Sequence, residues 1–396
     1  MIDRPEYMNE LIRFRDKKVI KVVTGIRRCG KSTLFELYRE HLMKTGTDES
    51  QLISVDLESA DYYDIQDFRA LYRLVKDRLV PDRMNYVFLD EVQLIPDFQQ
   101  ACDSLYILNN VDLYITGSNA KLLSGELATL LSGRYVEIKM LPLSFREYIS
   151  AVGSTDLPEK YRNYLMNSSF PYSLELEKRK DILTYLDGIY TSIVLKDIVG
   201  RKRISDISTL ETVIRFMFDN IGNLCSPTKI ANTLKSGGKG ISVHTVDSYL
   251  EALCESFVLY RASRYDIKGK QLLQSGEKYY LSDIGLRYYL LGTKPADMGH
   301  ILENIVYLEL LRRGNEVYVG KQNDGGIDFV CINDGGTEYY QVALSVREPS
   351  TLERELEPLN GIPDHNAKYL LTLDNDPPMN HNGIRQLYAL EWLLDK

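Results

Sequence analysis

Cysteine and histidine are both scarce, with five of each in 396 residues. Cys29, Cys102, Cys225, Cys254 and Cys331 form no C-x-x-C pair and have few histidines near them, which predicts reduced thiols and excludes a disulfide framework or a zinc site. Long apolar runs are missing too. No stretch approaches about 18 uninterrupted apolar residues, so no membrane helix and no membrane partner is expected. The opening segment MIDRPEYMNELIRFRDKK is charged throughout and holds no apolar core for an export signal, which predicts a cytoplasmic chain. The absence of low-complexity tracts and internal repeats excludes disordered and solenoid classes. Nor is there an excess of basic charge: the formal net charge of −8 argues against a protein that coats nucleic acid, while allowing local basic patches.

What is present is a globular composition, 44% hydrophobic and 26% charged, in a chain long enough for three domains. Between residues 18 and 150, apolar runs (KVIKVVTG, QLISVDL, NYVFLDE, VDLYITGS, RYVEIKM) alternate with amphipathic stretches at 31–44, 65–79, 98–109 and after Asn119. Five short, largely β-branched or aromatic runs at helical separation predict an α/β fold with a parallel sheet covered on both faces. The pattern lapses near AVGSTDLPEK, and 157–200 turns helical and rich in tyrosine. From 205 to 285, three helices and two β-like segments have the composition of a winged helix. After 298 comes a long helix, strands joined by the hairpin signal NDGG, a further strand KYLLTL and a terminal helix. The expected domains are 1–155, 156–290 and 291–396.

The first strand runs into GIRRCGKST, which fits G-x-x-x-x-G-K-[ST] from Gly25 to Ser32. A glycine-rich loop between a strand and a helix turns successive backbone amides, and the positive helix end, toward a phosphate. Gly25, Arg28, Cys29, Gly30, Lys31, Ser32 and Thr33 are the expected ATP-binding residues, with Lys31 reaching the β- and γ-phosphates and Ser32 binding Mg²⁺. Cys29 reads as loop filler, although the nearby lysine and helix end would favour its thiolate. YVFLDE then predicts a buried strand ending in Asp90, a Mg²⁺-shell residue, and Glu91, which would orient and deprotonate water. The competing reading of that pair is a helix cap. The intervening strand QLISVDL, with Glu91, favours the P-loop additional-strand ATPases over the G-protein-like class.

RPEYMNELIRFRDKKVIKVVTGIRRCGKSTL, FLDEVQ, ITGSNAKLLSGELATLLSGRY and LPLSFREY resemble the prokaryotic AAA+-like ATPases that carry a C-terminal domain of unknown function. The resemblance implies ATP binding and hydrolysis, with Gln93 as a further site candidate. It also implies that a polar residue after the fourth strand, Asn119 among Thr116, Ser118 and Asn119, meets the γ-phosphate or the attacking water. Asn119 reads equally as an N-cap. Arg134, before the last strand, corresponds to an arginine that reaches a neighbouring subunit's nucleotide and so points to a homo-oligomer. A turn or ion-pair arginine is the plainer reading.

The C-terminal parts of such proteins are similar to a winged helix followed by a restriction-endonuclease-like fold. In that resemblance Glu303, Asp328 and Gln341 occupy the places of a nuclease's metal-binding residues. Closing the hairpin at Asp334-Gly335 pairs 333 with 336, and hence 328 with 341. The nuclease lysine is missing, since Ala343 stands two residues after Gln341; Lys321 is a conceivable substitute from the preceding strand end. Without that ammonium, metal-assisted cleavage is expected to be impaired. Residues 201–270 carry 11 Lys and Arg against 7 Asp and Glu, a basic balance that suits a phosphate backbone and makes DNA a candidate partner. The segment SVHTVDSYLEALCES carries Asp247, Glu251 and Glu255, so only Ser242, His244 and Thr245 are placed for bases. The expected function is an Mg²⁺-dependent ATPase coupled to a winged-helix and degenerate nuclease-like module. The alternatives are a nucleotide switch that recruits a protein partner and an ATP-gated, metal-dependent nuclease.

Overall fold

The apolar runs become strands at their expected places in the computed structural model, which describes residues 2–123, 131, 133–153, 155–202, 204–238, 240–292, 298–322 and 325–395. Up to Pro142 the chain forms one compact unit and from Leu143 onward another, with 255–257 grouped with the first. The first unit holds β1 (Ile20–Thr24), β2 (Leu52–Asp56), β3 (Asn85–Asp90), β4 (Val111–Gly117) and β5 (Tyr135–Lys139) in the order β2-β3-β4-β1-β5. Every pairing is parallel. Helices α1 (Pro5–Arg13), α2 (Lys31–Lys44), α3 (Phe68–Lys76) and α4 (Phe98–Ile107) surround it. After Asn119 the structure shows a 3-10 turn, Ala120–Leu123; residues 124–130 of the helix expected there lie outside the described residues.

The central strands are buried end to end because both faces are covered. Val87, Leu89, Leu113 and Ile115 pack with Leu71 and Val75 of α3 and with Ala101, Cys102 and Leu105 of α4. The alternate residues are aromatic and face α2, with Phe88 and Tyr114 stacked at 4.9 Å and Phe35 edge-on to Phe88 at 5.2 Å. One charged pair is built into this layer. Lys21 is fully buried against the Asp112 carboxylate, which also accepts from Tyr114 Oη (2.8 Å) and the Asp16 amide (2.9 Å). Burial disfavours the charge on both partners, and their mutual attraction offsets it. Removing one partner strands the other charge, so Lys21→Ala is expected to cost about 3–5 kcal/mol in a urea melt of the ATPase-like unit. A loss under about 1 kcal/mol would show the pair to be solvated.

The second unit begins with α5 (Phe145–Val152), α6 (Leu157–Asn167) and α7 (Arg179–Ser192), the last running into a π-helical segment, Ile193–Val199. Three helices follow, α8 (Ile207–Asp219), α9 (Pro227–Ser236) and α10 (Val243–Glu255), and then the antiparallel pair β6 (Leu259–Asp266) and β7 (Gln271–Leu281). Helices α11 (Ile284–Leu291) and α12 (Met298–Arg312) precede β8 (Glu316–Gln322), β9 (Gly325–Asn333) and β10 (Gly336–Ala343). The chain ends with α13 (Pro349–Asn360), β11 (Ala367–Thr372), β12 (Met379–His381), β13 (Ile384–Tyr388) and α14 (Ala389–Trp392). The pair β12–β13 was not expected, and the terminal helix is only four residues long.

The NDGG hairpin has its expected register, Gly336 opposite Asn333 and Tyr340 opposite Phe329. One sheet runs across the expected boundary at 290. Strand β6 pairs in parallel with β8 from Arg264–Val319 to Asp266–Lys321, which draws the hairpin into one eight-stranded sheet, β12-β13-β11-β10-β9-β8-β6-β7. By contacts the chain forms two compact units, because a sheet edge that composition marks as a separate wing is hydrogen-bonded to the strands that follow.

Candidate nucleotide-binding site

Parallel register brings three chain segments to one edge of the first sheet. Thr24 lies opposite Gly117, and Leu89 opposite Ile115, so the loop after β1, Asp90–Glu91 after β3 and Ser118–Asn119 after β4 share the carboxyl end. β4 lies between β1 and β3, as the additional-strand class requires. Gly25 has φ +156°, and a Cβ there would lie 2.1 Å from the Met140 carbonyl oxygen, so only glycine fits. Gly30 precedes α2 at φ +104°, and Arg28 is exposed at φ +67°. The first helical bond of α2 runs from the Leu34 amide to the Gly30 carbonyl (2.9 Å), so the amides ahead of it, including that of Thr33, point out of the helix end.

Lys31, the first residue of α2, is buried. Its Nζ lies 3.2 Å from the Gly25 carbonyl, 3.4 Å from the Ile26 carbonyl and 3.4 Å from Glu91 Oε1. Burial lowers its proton affinity, but the charges facing it, Glu91 and Asp90 among them, more than compensate and keep it an ammonium. Burial acts against the Glu91 charge too, and Lys31, the Gln93 hydrogen bond and Arg27 together outweigh it, leaving that carboxyl below its ordinary value. Asp90 is pushed upward by burial, partly offset by hydrogen bonds from Ser32 and Thr116. Thr116 Oγ1 donates to Asp90 and accepts from the Glu91 amide (2.8 Å). Glu91 sits in the left-handed region at φ +50°, and the Gln93 amide donates to its carboxylate. Gly117 leaves room for Gln93: a Cβ there would lie 2.9 Å from Gln93 Oε1. Asn119 is buried beside this cluster in sequence.

Two expectations fare differently. Cys29 is fully buried, and burial raises its thiol above the usual value despite Lys31 and Arg4, so it is a packed thiol and not a thiolate. Arg134 lies at the opposite edge of the sheet, where its carbonyl accepts from the Ile20 amide (2.8 Å). Its guanidinium pairs with Asp103 and covers the Tyr106 ring. The chain does not bring Arg134 to its own phosphate loop.

Sequence reasoning assigned no role to Arg4 and Tyr7. Arg4, buried at the start of α1, donates to the Cys29 carbonyl (3.1 Å) and the Leu141 carbonyl (2.7 Å), and Tyr7 Oη accepts from the Leu141 amide (3.1 Å). These bonds tie the loop to residues far along the chain, and no local spacing announces them. Their one signal was membership in the stretch RPEYMNEL.

In the second unit the hairpin places Gln341 against Asp328, with the Asp328 amide donating to Gln341 Oε1 (3.3 Å). Glu303 of α12 meets them through Lys278 of β7, whose Nζ lies 2.7 Å from Glu303 Oε1 and 3.4 Å from Asp328 Oδ1. The ammonium that meets these two carboxylates is thus that of Lys278.

The loop, the strand order and the Asp-Glu pair define a P-loop ATPase fold of the additional-strand class. A family described as an AAA domain matches residues 17–149, and a domain of unknown function, DUF8612, matches 158–297. An uncharacterized protein of Haemophilus influenzae is 40% identical over 399 residues, covering 100% of this chain and 99% of that protein. One from Methanocaldococcus jannaschii is 29% identical over 363 residues, 85% of this chain and 77% of that protein. The chain belongs to this family of P-loop ATPases, in which the AAA domain is followed by a separate C-terminal domain. Among solved structures, the Walker-type ATPase of Pyrococcus abyssi shares the fold at 13% identity with a TM-score of 0.51, over 73% of this chain and 96% of that one.

Proposed function

We propose that the protein is an Mg²⁺-dependent ATP hydrolase whose nucleotide state switches the contacts its second unit makes with a partner. The observation that carries this is the meeting of Lys31, Asp90 and Glu91, from two strand ends, within one hydrogen-bonded cluster. Lys31 and the α2 amides would hold the β- and γ-phosphates. Ser32 and Asp90, already bonded to each other, would hold the metal, which when bound neutralises phosphate charge. Without nucleotide, Lys31 and Glu91 satisfy each other; phosphate competing for the ammonium would leave the Glu91 carboxylate to orient water for in-line attack. Asn119, which follows β4, would meet that water or the γ-phosphate. Arg134 would complete a second copy's site only by leaving Asp103.

The switch reading is favoured over DNA coupling because part of the basic face is engaged internally. Lys202 pairs with Glu251 at 3.2 Å and Arg261 with Glu277 at 3.5 Å. Ser242 and Thr245 cap their own helix, with the Thr245 amide donating to Ser242 Oγ (3.0 Å). A DNA-coupled reading keeps the exposed Lys235, Lys268 and Lys270; Arg203 and Lys239 lie outside the described residues. Steady-state ATP hydrolysis with Mg²⁺, with and without duplex and single-stranded DNA at two salt concentrations, separates the two. The expected result is slow turnover indifferent to DNA. A rise of about tenfold or more with DNA that salt abolishes would replace the switch by a DNA-coupled machine, and no turnover under any condition would refute the hydrolase.

A further inference from the structure

The restriction-endonuclease resemblance calls for a divalent cation at Glu303, Asp328 and Gln341, and the side chains present do not fit one. Gln341 has already committed both ends of its amide: Oε1 accepts from the Asp328 amide (3.3 Å), and Nε2 donates to Glu355 (2.8 Å). Among the described residues no group of three or more His, Cys, Asp and Glu side chains is arranged to hold a metal. The carboxylates are instead gathered around an ammonium. Lys278 Nζ lies 2.7 Å from Glu303 Oε1 and 3.4 Å from Asp328 Oδ1, with all three side chains largely buried. Other groups share these oxygens: Glu303 Oε1 also accepts from Tyr280 Oη (2.6 Å), and Asp328 Oδ2 accepts from the Val342 amide (2.9 Å), while His300 Nδ1 lies 3.6 Å from Glu303 Oε2.

We infer that Lys278 stands in for the metal of a nuclease-like centre, closing it to divalent cations and fastening the β6–β7 hairpin to α12 and β9. A metal held by the same oxygens would sit within a few ångströms of the ammonium, and like charges at that range repel strongly in a buried site. The Lys278 side chain is only 13% exposed, so the ammonium sits among these carboxylates and largely out of water. The same ammonium reinforces the joined sheet: β6 and β8 share a register of three residue pairs, and Lys278 adds an ionic crosslink from β7 to residues 25 and 50 positions away. An ATP-gated nuclease is thereby excluded, leaving contact and not cleavage as the second unit's work.

The test is Mn²⁺ binding to the full-length, nucleotide-free chain, measured by electron paramagnetic resonance. Wild type and Asp328→Asn are expected to bind the same amount of Mn²⁺, and wild type with Mn²⁺ should leave supercoiled plasmid intact. Lys278→Ala should melt lower, by on the order of 10 °C. It should also take up one additional Mn²⁺ that is lost again in Lys278→Ala/Asp328→Asn. A folded Lys278→Ala that gains no Mn²⁺ would refute the substitution of ammonium for metal. Should that variant fail to fold, the first comparison still decides: extra Mn²⁺ on wild type that Asp328→Asn removes, or plasmid nicking that Asp328→Asn abolishes, overturns the inference.

Discussion

Lys31→Ala is expected to weaken ATP binding on the order of 100-fold or more, measured by titration with a fluorescent ATP analogue. Two losses combine. The side chain is the buried cation at the mouth of the loop, and a charge-assisted hydrogen bond in a desolvated site contributes several times what it would in water. Its removal also leaves Glu91 buried without the ammonium that lowers its pKa, so the site would greet a polyanion with an uncompensated carboxylate. The same substitution would remove the bonds to the Gly25 and Ile26 carbonyls, so a control for loop collapse is needed. Lys31→Arg keeps the charge but not the shape, and should recover part of the binding and little turnover. Affinity unchanged in Lys31→Ala would show that ATP binds elsewhere.

Glu91→Gln is expected to separate binding from chemistry. The amide is nearly isosteric, so the left-handed backbone and the Thr116 contact to the Glu91 amide persist. What disappears is the proton acceptor, with a loss in kcat on the order of 10²–10⁴. Affinity for ATP should stay the same or rise, because Lys31 no longer has a carboxylate competing with the phosphates. Lower kcat with unchanged or tighter binding is a pattern that general destabilisation does not produce. Normal turnover in this variant would remove Glu91 from the mechanism and return the Asp-Glu pair to a structural role.

Both variants probe residues that the amino-acid sequence itself exposes, for a physical reason. A phosphate loop is a local object: glycines, lysine and hydroxyl must lie within one turn of chain, so their spacing is written in consecutive residues. The five parallel strands of the ATPase-like unit were nearly as legible, since buried runs at helical separation imply a sheet covered on both faces. The β9–β10 register followed from the two turn residues alone, and it holds as far as the Asp328–Gln341 contact.

Where sequence and structure part, the cause is different. A thiolate at Cys29 was the competing expectation because two positive features adjoin it along the chain, and burial, which adjacency does not reveal, reversed the sign. Arg134 looked available until Asp103, on a helix earlier in the chain, proved to be its partner. Arg4 and Lys278 carried no recognised motif, because each acts on groups brought near only by the fold. By itself, then, the sequence determined the α/β class, the phosphate loop, the Asp90–Glu91 pair and the hairpin register, all products of short-range spacing. Tertiary structure alone decided that the C-terminal parts form one sheet, that α1 grips the phosphate loop, and that the Lys278 ammonium lies between Glu303 and Asp328. Those outcomes depend on contacts between distant segments, where burial and charge pairing are settled by which surfaces close on one another.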